Sequence, residues 1–132
     1  MLTLRVKKKF HAAHSLPGLG GKCARLHGHT WTVILTFEVG TPDPETGITV
    51  DFHDLDTCVD KVIGYFDHYN LNDRMPPGRP PSAENLAIRI AEGVTAQVRS
   101  AFGAGVLVLL SVVVWETDSN CAVYTLKEGI GT

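Results

Sequence analysis

His27-Gly28-His29-Thr30-Trp31-Thr32-Val33-Ile34-Leu35-Thr36-Phe37-Glu38-Val39 is the stretch on which the fold turns. Its odd-numbered positions carry His27, His29, Trp31, Val33, Leu35, Phe37 and Val39, while Gly28, three threonines, Ile34 and Glu38 fill the even ones. Side chains alternate across a strand, so this pattern gives one long extended segment an apolar face and a more hydrophilic one. A run of the same kind precedes it. Leu4, Val6, Phe10, Ala12 and His14 share one parity, with Thr3, Arg5, Lys7, Lys9 and His11 on the other, and only Lys8 breaks the pattern. Between the two lies Pro17-Gly18-Leu19-Gly20-Gly21. Such residues favour turns, so two long strands joined by an irregular loop are expected.

C-terminal to this pair, residues 41–47 read as a turn, Ile48 to Val50 as extended, and Asp51 as the N-cap of a helix. Leu55, Val59, Val62, Ile63 and Phe66 recur at three and four residues, one helical stripe ending near Asp67. The segment from Asn70 to Pro81 holds Pro76-Pro77-Gly78 and Pro80-Pro81 and must be a loop, because proline breaks the helical ladder. Ser82 caps a second helix whose stripe runs Ala83, Leu86, Ala87, Ile90, Ala91, Val94, Val98, stopped by Gly103 and Gly105. Val106 to Glu116 is apolar on both parities, as in a central strand covered on both sides, and Cys121 to Leu126 returns beside it across Asp118-Ser119-Asn120. The expected order is ββααββ, an α+β fold in a single domain over residues 1–132.

Composition narrows the function classes. Hydrophobic residues make up 44% and charged residues 20% of the 132, so the chain can build a packed core. Twelve Lys and Arg against 14 Asp and Glu leave a net charge of -2, without the basic excess that binding nucleic acid requires. The longest apolar run, Val106 to Trp115, is about half of the roughly 20 residues that span a bilayer, so no membrane partner is expected. Arg5, Lys7, Lys8 and Lys9 follow Met1 to Leu4 at once, unlike a secretory signal, and a cytoplasmic location is expected. Three cysteines at scattered spacing read as free thiols, with Cys58 and Cys121 expected in the interior as packing residues.

Four of the six histidines (His11, His14, His27 and His29) fall within the first 29 residues. His27 and His29 share a strand face, and Gly28 between them lets the backbone approach a ligand closely. His14, on the neighbouring strand, can supply a third nitrogen to one Zn2+, leaving a coordination position open, as in catalytic sites. Cys23, four residues before His27, is then near enough to a bound cation to act as base or nucleophile, or else is a fourth ligand that closes the site. Asp67-His68 pairs a carboxylate with a proton-carrying imidazole. Glu116 ends a long apolar run, where a carboxylate needs donors or the mouth of a pocket. His11 and His53 have no such company and read as surface residues.

Together these segments resemble one family, the 6-pyruvoyl-tetrahydropterin and 6-carboxy-tetrahydropterin synthases. The resemblance rests on Phe10-His11-Ala12-Ala13-His14, Cys23-Ala24-Arg25-Leu26-His27-Gly28-His29, Val50-Asp51-Phe52, Asp67-His68-Tyr69-Asn70-Leu71-Asn72-Asp73, Ser82-Ala83-Glu84-Asn85 and Glu116-Thr117, six motifs in order over almost the whole chain. It implies a T-fold, a four-stranded antiparallel sheet with two helices on one face, closing into a barrel as a homotrimer or homohexamer with sites between subunits. It implies zinc on His14, His27 and His29, Cys23 as the proton-abstracting thiolate, Asp67 and His68 as acid/base partner, and Glu116 in the proton relay. Glu116, Thr117 and Ser82 would bind a pterin triphosphate substrate, 7,8-dihydroneopterin triphosphate, with Lys22, Arg25, Arg74 and Arg79 as candidates for its phosphates. The spacing from Cys23 to His27, with Lys22 and Arg25, is most similar to the 6-carboxy branch that serves queuosine biosynthesis. Ala83 stands where the family often has a hydroxyl. Two other readings are a 6-pyruvoyl-tetrahydropterin synthase, which keeps the carbon chain, and a non-catalytic zinc-stabilised scaffold.

Overall fold

The computed structural model of the protein describes residues 1–126. Both alternating runs form long strands, β1 over Leu2–His14 and β2 over His27–Val39. They pair antiparallel from Leu2 opposite Val39 to His14 opposite His27, which sets Phe10 against Trp31 and Val6 against Leu35. β3 (Leu107–Trp115) joins the other side of β2, and β4 (Cys121–Thr125) follows, giving the antiparallel order β1-β2-β3-β4. The connection between β1 and β2 contains one helical turn, α1 (Gly21–Ala24), and the two longer helices are α2 (Phe52–Ile63) and α3 (Ala83–Phe102). This is the expected α+β arrangement.

The helices lie on one face of the sheet. Trp31, Val33, Leu35 and Phe37 of β2 are fully buried in one cluster with Leu55 and Val59 of α2 and Leu86, Ile90 and Val94 of α3. Each such side chain contributes roughly 1.5–3 kcal/mol by leaving water. Lys8, the exception in the β1 alternation, turns towards α2, where its Nζ lies 3.0 Å from Asp56 and 3.1 Å from Asp60. Burial works to lower its pKa, but hydrogen bonds to the two carboxylates prevail and hold the ammonium above its ordinary value. A cation on the apolar parity is therefore accommodated by acids one helical turn apart.

Four expectations need correction. Ile48 to Val50 forms no strand. α2 ends at Ile63, short of Asp67, because the N–H groups of Tyr65 and Phe66 bond three residues back, to Val62 and Ile63, and tighten the chain; Phe66 remains in the core without being helical. β3 is not covered on both sides: Leu107, Leu109, Val112 and Val114 are buried, while Val108, Leu110, Val113 and Trp115 are half-exposed on the face away from the helices. A bulge opposite Thr36 and Phe37 resets its alternation, which is why apolar residues occupy both parities. Cys121 is exposed, since β4 is an edge strand and its odd positions face away from α3; Cys58 is buried as expected.

Candidate active site

The register of β1 on β2 assembles the three histidines. His14 stands directly opposite His27, and His29 is opposite Ala12, so all three rings project from one sheet end on the helix-covered face. One ring nitrogen from each lies within 4.8 Å of the others, and the rings meet edge to face at 4.6 to 5.1 Å between centroids. Trp31 forms their floor, its ring 5.0 Å from His14 and 5.3 Å from His29, with its indole N–H donating to the carbonyl of Ala12.

Backbone carbonyls orient two of the rings. His14 Nδ1 is 2.7 Å from the oxygen of Pro81, and His27 Nδ1 is 2.8 Å from that of Arg25. A carbonyl only accepts, so Nδ1 carries the hydrogen in both and Nε2 presents a lone pair. His14 Nε2 and His29 Nε2 are buried and have no hydrogen-bond partner among the described residues. Buried polar atoms are nearly always paired, so two such imidazole nitrogens facing a third fit the donor set of a divalent metal ion. Burial lowers the pKa of His29, as do His14 and His27, with only Glu116 working to raise it, and a neutral ring is the ligating form. These three histidines can hold a metal ion.

Glu116 follows the last residue of β3, and its Oε1 lies 3.6 Å from His29 Nε2. It borders the three-histidine cluster, and its negative charge favours a cation there.

Cys23 and His68 line different clefts of the chain. Cys23 is exposed on α1 and lines a cleft of about 460 Å3 with Lys22, Arg25, Leu26 and His27. A second cleft, about 560 Å3, is lined by His11, His29, Thr30, His68 and Tyr69 among others. The segment carrying Asp67 and His68 is laid along the free edge of β1. His68 N–H donates to the His11 carbonyl (2.6 Å), Ala13 N–H donates to the Tyr69 carbonyl (3.2 Å), and the Asn72 side chain both accepts from and donates to Ser15. Asp67 Oδ1 accepts from the His11 N–H (3.0 Å) and lies 2.9 Å from His68 Nδ1. The His11 bond is the main reason the Asp67 carboxyl sits below its ordinary pKa, helped by His68. His68 takes a positive φ of 64°, which few side chains adopt without strain. That conformation, pinned to β1 by its own N–H, leaves the ring exposed above the cleft.

His11 is exposed, as expected of a surface residue, but it is not without company: its main chain holds both Asp67 and His68, its ring lies 5.7 Å from that of His68, and its Nδ1 contacts Thr30 Oγ1 at 3.1 Å. Only the tertiary fold reveals this, because residues 56 positions apart meet. Ser82 accepts from Asn85 N–H as the cap of α3, and Thr117 Oγ1 accepts from Ser119 N–H in the β3–β4 turn. Of the four basic candidates, Arg79 is bound to Glu92 and Arg74 is stacked over Tyr69 and Tyr65, whereas Lys22 and Arg25 line the Cys23 cleft.

The four-stranded sheet with two helices on one face is a T-fold, shared with solved pterin synthase structures. The model of the 6-pyruvoyl tetrahydropterin synthase family matches residues 3–127, and the chain belongs to that family. It is 37% identical over 119 residues to the 6-carboxy-5,6,7,8-tetrahydropterin synthase of Synechocystis sp., covering 87% of this chain and 86% of that protein. With human 6-pyruvoyl tetrahydrobiopterin synthase it shares 32% identity over 125 residues, covering 91% and 81%. The solved structure of Caenorhabditis elegans 6-pyruvoyl tetrahydropterin synthase superimposes with a TM-score of 0.82 at 25% identity, covering 96% of each chain.

Proposed function

We propose that the protein converts 7,8-dihydroneopterin triphosphate and one water to 6-carboxy-5,6,7,8-tetrahydropterin, acetaldehyde and triphosphate, with zinc on His14, His27 and His29. The observation that carries this reading is the pair of buried Nε2 atoms of His14 and His29, without a hydrogen-bond partner among the described residues, beside His27 in a chain 37% identical to a 6-carboxy-tetrahydropterin synthase.

Zinc bound there supplies a Lewis acid that stabilises negative charge developing on substrate side-chain oxygens. Cys23, exposed in the cleft that His27 shares, takes a proton from a substrate carbon as its thiolate and becomes the thiol. Asp67 accepts from His68 Nδ1, so the ring in its imidazolium form can return the proton on Nε2. Glu116 accepts hydrogen bonds from the pterin ring and, with Thr117 and Ser82, holds the reacting carbon near the histidines. Lys22 and Arg25 neutralise the triphosphate. Because Cys23 and His68 line different clefts of one chain, a complete site draws them from neighbouring copies of a homo-oligomer. The half-exposed Val113 and Trp115 and the exposed Val123, on the open face of the sheet, supply apolar surface for that association.

The test is incubation of zinc-loaded protein with 7,8-dihydroneopterin triphosphate and mass analysis of the products. The carboxy product with acetaldehyde is expected. A product that keeps the carbon chain would assign the 6-pyruvoyl reaction instead, which the human relative's name favours as second reading. Unchanged substrate would leave a zinc-stabilised scaffold.

A further inference from the structure

The carbonyl that orients His14 belongs to a turn with its own fastening. The Ser82 N–H donates to the Pro80 carbonyl at 2.8 Å, closing a three-residue turn with Pro81 at its centre. An inverse γ-turn requires a central φ near that of proline, and its closure fixes ψ of the central residue. Once ψ of Pro81 is set, so is the direction of the Pro81 carbonyl, which lies 2.7 Å from His14 Nδ1. A second donor holds the same closure: Asn85 Nδ2 donates to the Pro80 carbonyl at 2.9 Å. The Asn85 backbone N–H meanwhile bonds Ser82 Oγ, so the helix cap uses the Asn85 main chain and the turn uses its side chain.

We propose that Asn85 is a positioning residue of the metal centre: its side-chain amide locks the turn whose Pro81 carbonyl fixes the tautomer and orientation of His14. The inference rests on His14, His27 and His29 being that centre. His14 is the most buried of the three, and a ring whose hydrogen moved to Nε2 would turn its lone pair to the Pro81 carbonyl and away from a cation. Partners that hold a ligand's second nitrogen change metal affinity by about 10–100-fold when removed. Here the effect passes through one further hydrogen bond.

The test compares wild type with Asn85→Asp, which replaces the donor by an acceptor facing a carbonyl, and with Asn85→Ala, which removes it. Both keep the main-chain N–H of the cap, and Ala is a strong helix former, so Asn85→Ala decides the matter should Asn85→Asp fail to fold. Zn2+ affinity is read by competition with a chromophoric chelator, and coordination geometry by the visible spectrum of the Co2+-loaded protein. A roughly tenfold or greater loss of Zn2+ affinity is expected, with an altered Co2+ spectrum. Variants that bind Zn2+ within about twofold of wild type and share its Co2+ spectrum overturn the role of Asn85 alone. Wild-type protein that takes up neither ion overturns the metal centre and this inference with it.

Discussion

Removing either of the two histidines that face each other across β1 and β2 should lower the metal-free stability unequally and abolish the zinc-induced gain alike. His14 is 1% exposed, packs on Trp31 and is the partner of the Pro81 carbonyl, whereas His27 is half-buried. His14→Ala loses packing and strands a buried acceptor, together costing about 2–4 kcal/mol. His27→Ala gives up a hydrogen bond near solvent and costs under about 1 kcal/mol. Zinc adds a term of its own: an ion at 100 times its dissociation constant stabilises a folded protein by about 2.7 kcal/mol. At an unfolding entropy of roughly 2.1 cal/mol/K per residue, a chain of 132 residues converts this to a Tm rise of about 10 °C. Scanning calorimetry at one protein concentration, with and without Zn2+, reads all three values. Wild type should gain about 10 °C on loading. His27→Ala should start within about 4 °C of the metal-free wild type and gain little, and His14→Ala should start about 7–14 °C lower and also gain little. A zinc-induced rise in His27→Ala equal to that of wild type would refute the ligand set, as would a wild type indifferent to the ion.

Three further outcomes follow from the site and its supports. Cys23→Ala should retain zinc and pterin binding while turnover falls by about 10²–10⁴, the usual contribution of a positioned acid or base; full turnover would dismiss the thiol as the base. The Asp67 carboxyl is held below its ordinary 3.8, chiefly by the His11 N–H, so its contribution to stability is complete above pH 3.8 and is lost as pH falls through the lowered folded value. Urea unfolding of wild type and Asp67→Asn from pH 6 to pH 2 should show a constant stability difference that shrinks only in acid, and a difference that grows in acid would reverse the assignment. Lys8→Met should cost about 0.5–1 kcal/mol, because it leaves Asp56 and Asp60 repelling each other one helical turn apart; 1 M NaCl should narrow the loss, and a salt-independent loss would point to packing instead.

How much of this could be read in the chain depends on the range of the interaction. Alternation over Leu2–His14 and His27–Val39 marked both long strands to the residue, since a period of two reports directly which side of a strand leaves water. The same parity put His14, His27 and His29 on one face before any register was known. Asp51 and Ser82 marked the starts of α2 and α3 because a cap is a bond to the next two or three residues. These properties are local, so they are legible along the chain without its fold.

Tertiary structure decided what joins distant segments. Only the β2–β3 register brings Glu116 beside His29, and only the open edge of β1 draws Asp67 and His68 onto His11. The bulge in β3 mimicked a doubly covered strand, because a skipped residue and a second apolar face leave the same mark in composition. Lys8 looked like an error in a pattern until α2 set two carboxylates against it. Cys121 looked interior by residue type, yet its place on an edge strand exposes it. Hydrogen bonds such as that from Asn85 to Pro80 reach further than the cap beside them and close on a ring 67 residues from Pro81. No periodicity encodes such a meeting, because it exists only once the loop after Asn70 has folded back over the end of the sheet.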